Sequence, residues 1–180
     1  MALVKLGASP IQSLDADSVE STVARTLYPI VRDAMLVAHP WSFTIAQAEM
    51  TAEAGQPVAE FAYAFVLPSD HLRTVSAGVG SRGRGLTYRI MGTRLLADAN
   101  SVVIQYQRRV GEDMFPAFFG QLLVTRLAAE FCLPVTESST RAADLYRLAD
   151  AELRLARLID SQQSTPQAVE DYTLISARGA

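Results

Sequence analysis

The sequence contains very little of the chemistry on which secreted proteins, metalloproteins and most enzymes depend. Its 180 residues include one cysteine, Cys132, one lysine, Lys5, and two histidines, His39 and His71. A single cysteine excludes an intrachain disulfide and a cysteine-based zinc site. The histidines lack the short spacing of metal ligands. With a net charge of −3, the chain is not a polycation built for nucleic acid.

Long apolar runs are also missing. No stretch reaches the roughly 18 apolar residues of a membrane span, and no basic segment followed by an apolar core marks a signal peptide. We therefore expect no membrane partner and synthesis in a reducing cytoplasm. Hydrophobic residues make up 49% of the chain, enough for the core of one domain. The charged fraction of 19% is below the roughly 25% of soluble domains, which favours extra buried surface in an oligomer or complex. A sequence rich in alanine, which raises the apolar count without large patches, is the alternative.

Helical patterns occupy both ends of the sequence. Apolar spacing predicts helices over 17–38, 41–51, 115–133 and 138–162, of which two are long. We expect Asp15 or Asp17 to cap the first, Pro29 to kink or divide it, and Pro40 to end it. Pro116 suits the first turn of the third helix, and Pro134 lies just beyond its end. Leu145, Leu148, Ala151, Leu155 and Leu158 form a narrow apolar stripe on the last helix.

The middle of the chain has the period of two that is typical of strands. Strands are predicted over 61–66, 71–77, 86–91, 94–97 and 101–110. In the last of these, Val102, Ile104 and Tyr106 share one face, whereas Gln105, Gln107 and Arg109 share the other. The turn at 98–100 predicts an antiparallel hairpin between the last two strands. The sequence therefore predicts an α+β fold, in which a bundle of about four helices carries an inserted antiparallel β region.

These patterns divide the chain into one domain and a tail. The domain spans 1–162, with its β insert at about 58–111, and residues 163–180 show little periodicity. Apolar residues in this tail, Tyr172, Leu174 and Ile175, predict that it docks on a neighbouring subunit or another protein.

Two motifs resemble catalytic or cofactor sites and are rejected. Gly78–Gly83 matches G-x-G-x-x-G, but a strand-like segment follows it, where dinucleotide binding needs a helix. Ser69, Asp70 and His71 are triad residue types, but adjacent residues rarely align as a triad. The sequence predicts neither an enzyme nor a bound cofactor.

Positive charge is concentrated in the β insert. The segment from His71 to Val110 contains seven arginines and one acidic residue, Asp98, so its net charge is +6. The arginines are Arg73, Arg82, Arg84, Arg89, Arg94, Arg108 and Arg109. We hypothesise that this segment, and Arg82, Arg84 and Arg89 in particular, faces an acidic protein surface. A solvated sheet face with a mobile loop is the alternative.

Three short strings occur in a fixed order in the first half of the chain. They are Leu6-Gly-x-x-Pro-Ile-x-Ser-Leu-Asp15, His39-Pro-Trp-x-Phe43 and Leu67-Pro-x-Asp-x-x-Arg73. Their order and spacing resemble the tail tubular protein A family of tailed bacteriophages over about residues 3–160. The structural anchors in these strings are Pro10, Asp15, Trp41, Phe43, Pro68 and Asp70.

The resemblance implies a structural virion protein, assembled in the host cytoplasm, that acts as a head-to-tail adaptor. Such adaptors form a ring, usually of twelve subunits, between the portal protein and a tail nozzle or tail tube protein. Double-stranded DNA would pass through the ring without specific binding. Two alternatives stay open: a head-completion connector of a long-tailed phage and a nucleic-acid-binding module.

Overall fold

The computed structural model describes residues 1–55, 60–80 and 83–163, and it has the predicted α+β architecture. Its α-helices are α1 (Ala2–Lys5), α2 (Val19–Val37), α3 (Ala117–Thr136) and α4 (Ser139–Ser161). Its strands are β1 (Ile45–Thr51), β2 (Tyr63–Val66), β3 (His71–Gly78), β4 (Tyr88–Met91), β5 (Arg94–Ala97) and β6 (Ser101–Arg108). Three of the four described helices are long, and the strands lie between α2 and α3. The α+β class is confirmed.

Helix α2 begins at a serine and not at the predicted aspartates. The Ser18 side chain accepts a hydrogen bond from the Ser21 N–H at 3.1 Å, whereas Asp15 is 89% exposed and only 4.0 Å from Arg25. The predicted acidic cap is therefore wrong. The helix also continues through Pro29 without dividing into two pieces. Since Pro29 is exposed, water can hydrate the carbonyl that the proline leaves without a partner.

The helix predicted over 41–51 is wrong. Residues Ser42–Thr44 form a single 3-10 turn, and β1 follows at once. Alternating alanines are compatible with either structure, so local pattern could not decide between them. Antiparallel pairing of β1 with β6, from Ile45–Gln107 to Thr51–Ser101, buries Met50 and decides the outcome.

The strands form two three-stranded antiparallel sheets, β1-β6-β3 and β2-β5-β4. The predicted hairpin between β5 and β6 is therefore wrong, because these strands belong to different sheets. At the turn, the Asp98 carboxylate accepts the Ala62 N–H at 2.8 Å, which ties the turn to the segment before β2. The two sheets bury Leu95 and Val102 in one shared core, and this burial outweighs local pairing.

Helix α3 is the central element of the helical core. It contacts α1, α2 and α4, and its apolar residues surround most of its circumference as expected. It extends to Thr136, so Pro134 lies in its last turn and not beyond its end. Helix α4 buries Ala142, Ala149 and Ala156, whose small side chains let two helices approach closely, and its Leu145 and Leu153 pack against the core.

Candidate functional site

The joint between the helical core and the first sheet is built around Trp41. This side chain is fully buried, and its Nε1 donates a hydrogen bond to the Met35 carbonyl at 2.9 Å. The centroid of the Trp41 ring lies 5.3 Å from that of the Phe119 ring. The centroid of the Phe43 ring lies 5.0 Å from that of the Phe119 ring. Trp41 is thus part of the helical core, and Phe43 is half-buried and packs against it.

Gln107 completes this joint from the sheet side. The side chain is fully buried, and its amide nitrogen donates to the carbonyls of Leu36 at 2.9 Å and His39 at 2.6 Å. These bonds tie the end of α2 to β6. Sequence periodicity placed Gln107 on the polar face of β6. What it could not show is that the end of α2 covers that face.

Asp160, in the last turn of α4, fixes the same region from a third direction. It is 4% exposed and accepts hydrogen bonds from the Ser42 N–H at 3.1 Å and the Ser42 hydroxyl at 2.7 Å. His39 Nε2 lies 3.5 Å from its carboxylate. Burial lowers the pKa of His39, with a further lowering by Arg157, despite the attraction of Asp160. The histidine is therefore neutral at pH 7, and this contact is not an ion pair there.

Neither cluster that contains Ser, His and Asp side chains has the geometry of a catalytic triad. In the joint, Asp160 bonds Ser42 directly, whereas a triad places histidine between serine and aspartate. In the string at 69–71, Asp70 accepts the Tyr106 hydroxyl at 3.1 Å, and the His71 ring bonds Thr74 at 2.8 Å. These contacts hold the joint and the turn before β3 together.

The other predicted anchors differ in their roles. Pro68 is half-buried and its carbonyl accepts the His71 N–H at 3.0 Å, which shapes the turn into β3. Asp70 joins that turn to β6 through Tyr106. Pro10 is exposed, as is Asp15, so neither anchors the core.

The glycine-rich loop after β3 does not open an α-helix in the part that the structure describes. Residues 83–87 form an irregular loop that leads into β4, whereas a dinucleotide site needs a helix at this point. The loop returns onto its own strand: the Ser76 hydroxyl donates to the Gly83 carbonyl at 2.8 Å. A side chain at Gly78 would collide with the backbone of Arg84.

Several arginines of the basic segment are paired with carboxylates from outside it. Arg94 contacts Glu53 at 2.7 Å, Arg109 contacts Asp33 at 2.6 Å, and Arg89 pairs with Glu60. The positive charge of the segment is therefore partly neutralised in the folded protein by carboxylates from other parts of the chain. Of the predicted contact residues, Arg84 and Arg89 are exposed. Arg82, Tyr172, Leu174 and Ile175 lie outside the described residues.

An open apolar groove lies where α1, α2 and the first half of α3 meet. It has a volume of about 520 Å³ and is lined mainly by apolar side chains. These include Met1, Ile11, Leu14, Phe115, Leu123 and Val124. Its polar end is formed by Glu112, which accepts the Tyr28 hydroxyl at 2.7 Å and lies 3.5 Å from Arg32. These hydrogen bonds lower the pKa of Glu112, so its carboxylate is ionised at neutral pH beside the Arg32 guanidinium.

A second apolar surface lies on α4. Leu148, Leu155 and Leu158 are 46%, 56% and 58% exposed, because the alanines of α4, and not these leucines, contact the core. Four of the five residues of the stripe seen in the sequence are thus exposed, and only Leu145 is half-buried. We call Leu148, Leu155 and Leu158 the leucine stripe. The leucine stripe and the groove share no residue.

Comparison of the chain with protein-family models and with curated proteins found no match. Of the helices that the structure describes, α3 alone is long and apolar enough to cross a membrane, judged by length and composition. Half of its apolar window is buried inside the protein, as expected for the central helix of a folded domain. Over the same described part, no group of three or more His, Cys, Asp or Glu residues could hold a metal ion.

Proposed function

We propose that this chain is a structural virion protein that forms a ring between portal and tail and lets the genome pass. The ordered resemblance of its three strings to the tail tubular protein A family supports this function. So does the role of the most distinctive string, since His39–Phe43 forms the buried joint of the domain. A protein that transmits contacts between a head and a tail needs such a rigid joint between its parts.

The observation that carries the proposal is the presence of two separate exposed apolar surfaces on one chain. A ring of identical subunits packed head to tail needs two different patches on every subunit. The groove and the leucine stripe meet this requirement. An isolated soluble monomer gains nothing from exposing both surfaces to water.

The proposed partners are other copies of the chain, the portal protein, and a tail nozzle or tail tube protein. Double-stranded DNA passes through the ring and is not bound specifically. Pairing of Arg89, Arg94 and Arg109 with carboxylates supports this. An arginine that is already paired neutralises fewer DNA phosphates, and its contact with DNA therefore releases fewer of the cations condensed on the DNA. The same pairing disfavours a nucleic-acid-binding module.

Electron microscopy of the purified protein, alone and mixed with the portal protein of its virion, tests the proposal. We expect closed rings with a central channel that stack coaxially on the portal. Portal protein from an unrelated virion serves as the control and should not bind. A chain that forms no ring with or without portal, and does not bind portal, would overturn the proposal.

A gel shift with double-stranded DNA separates the nucleic-acid alternative. We expect no shift at physiological salt. A shift that is strong at low salt and lost at high salt would favour a nucleic-acid-binding module instead.

A further inference from the structure

The leucine stripe has the form of a helix surface made to enter an apolar groove. Leu148, Leu155 and Leu158 follow the spacing with which one helix presents a single face, and they extend over about 15 Å of α4. Ala151 lies between them and keeps the stripe low at its centre. The helix is held in place from behind by its alanine contact with α3, so the stripe is presented without a cost of ordering.

The groove has the matching shape and chemistry. Its volume of about 520 Å³ lies within the range of about 300–1,000 Å³ that is typical of sites for compact ligands, and its walls are apolar. Leu14 and Met1 on its rim are themselves exposed, so an incoming apolar face would bury both sides of the contact. Several aliphatic side chains can be accommodated there.

The charges that flank the two surfaces have opposite sign. Asp15 follows Leu14 on the rim, and Glu112 lines the groove, with Asp113 next to it. Arg25 and Arg32 balance these three carboxylates only in part.

On α4, Arg147 and Arg154 border the leucine stripe along one side. Arg147 pairs with Asp144 at 2.7 Å, whereas Arg154 has no ion pair in the described part of the chain. Within the described residues, Arg154 thus brings one positive charge without an ion pair to the stripe, and Asp113 brings one carboxylate without an ion pair to the rim of the groove.

We infer that the leucine stripe of one subunit docks into the groove of the next copy of this chain, head to tail. The inference rests on the proposed ring and names the surfaces that close it. Two stripes facing each other would bring the arginines of both copies together, which like charge disfavours. The chain's own tail carries Glu170 and Asp171 beside Tyr172, and these acids would meet the acidic rim.

Cysteine cross-linking tests the direction of packing. Leu14→Cys places a thiol on the groove and Leu155→Cys places one on the stripe, while the native Cys132 is buried and remains unchanged. With a short bismaleimide, we expect a mixture of the two variants to form mixed dimers. A chain that carries both cysteines should form a ladder of multimers. Ile90→Cys, exposed on β4, is the control and should not cross-link to either.

Charge insertion tests the contribution of the stripe. Leu155→Asp should weaken self-association more than tenfold, measured by sedimentation as a function of concentration. Leu133→Asp is the matched control, because Leu133 on α3 is also 56% exposed but lies outside both surfaces. Circular dichroism should show that both variants remain folded.

The possible outcomes separate this inference from the proposed function. The stripe-to-groove contact is overturned if rings persist in Leu155→Asp. It is also overturned if Leu155→Cys chains cross-link only to one another. Neither result contradicts the proposed ring. Stripe-to-groove cross-linking that appears only after removal of residues 164–180 would assign the groove to the tail and also overturn the contact. Absence of rings and of portal binding in the unmodified chain would instead overturn the proposed function.

Discussion

Replacement of Asp160 by alanine tests whether the last turn of α4 holds the joint together. The carboxylate accepts two hydrogen bonds from Ser42, from its N–H at 3.1 Å and its hydroxyl at 2.7 Å. A hydrogen bond to a charged group contributes about 1.5–3 kcal/mol. Water can reach Ser42 in the variant, because this residue is exposed, and will replace part of the loss. We therefore expect Asp160→Ala to lower the free energy of unfolding by about 2–3 kcal/mol.

Urea unfolding followed by tryptophan fluorescence measures this loss at the joint itself. Trp41 is the only tryptophan of the chain, it is fully buried, and it directly precedes Ser42. Asp150→Ala is the matched control: it is the same substitution in the same helix at an exposed position, and it should change stability by about 0.5 kcal/mol or less. Equal urea midpoints for the two variants would refute the assignment of Asp160 as a structural pin.

A double-mutant cycle isolates the contact between the two residues. Ser42→Ala alone removes the hydroxyl but keeps the N–H, so it should cost less than Asp160→Ala. The coupling energy between the two substitutions should be about 1–2 kcal/mol. Additive losses, with no coupling, would show that the carboxylate stabilises the fold through something other than Ser42.

Two further predictions concern pH and backbone packing. Burial lowers the pKa of both His39 and His71 below the ordinary 6.5, so the unfolded chain binds more protons in the interval below that value. The urea midpoint should therefore be highest above about pH 6.5 and fall as the pH drops below it. His39→Gln should reduce this fall, and an unchanged pH profile in that variant would contradict the assignment. Gly78→Ala should lower the melting temperature, at a cost of about 1–3 kcal/mol, because its Cβ meets the Arg84 backbone; a melting temperature equal to wild type would contradict the close approach.

Residues whose environment is set within one element were predicted well from the sequence. Val102, Ile104 and Tyr106 alternate along β6, and all three are buried as the period of two indicates. Trp41 and Phe43 follow Pro40, and both rings pack on Phe119 of α3. These positions could be predicted because their segments have only one apolar face, and that face is the one that folding buries.

Contacts between distant segments were not predictable in the same way. Segment 41–51 has a pattern compatible with helix or strand, and only the register with β6 decides for a strand. The basic segment has a charge of +6 along the chain, but Glu53 and Asp33 reach into it from elsewhere. Sequence distance does not measure the spatial distance on which electrostatic compensation depends.

The leucine stripe shows the same limit for surfaces. The sequence places an apolar stripe and a set of alanines on different faces of α4, and pattern alone favours burial of the leucines. The structure buries Ala142, Ala149 and Ala156, since small side chains allow α4 to lie close to the bulky α3, and of the stripe leucines only Leu145 packs against the core. The leucine stripe can be identified as an exposed surface only once it is known which face of α4 packs on α3.

The sequence by itself determined the α+β class, the helices α2, α3 and α4, the strands from β2 to β6 and the absence of a disulfide framework. Each of these follows from local periodicity, from turn chemistry or from a residue count. Tertiary structure alone decided which strands share a sheet, which face of α4 is exposed, and how Gln107 and Asp160 close the joint around Trp41. These features depend on the packing of segments far apart in the chain, and local sequence does not encode that packing in a readable pattern.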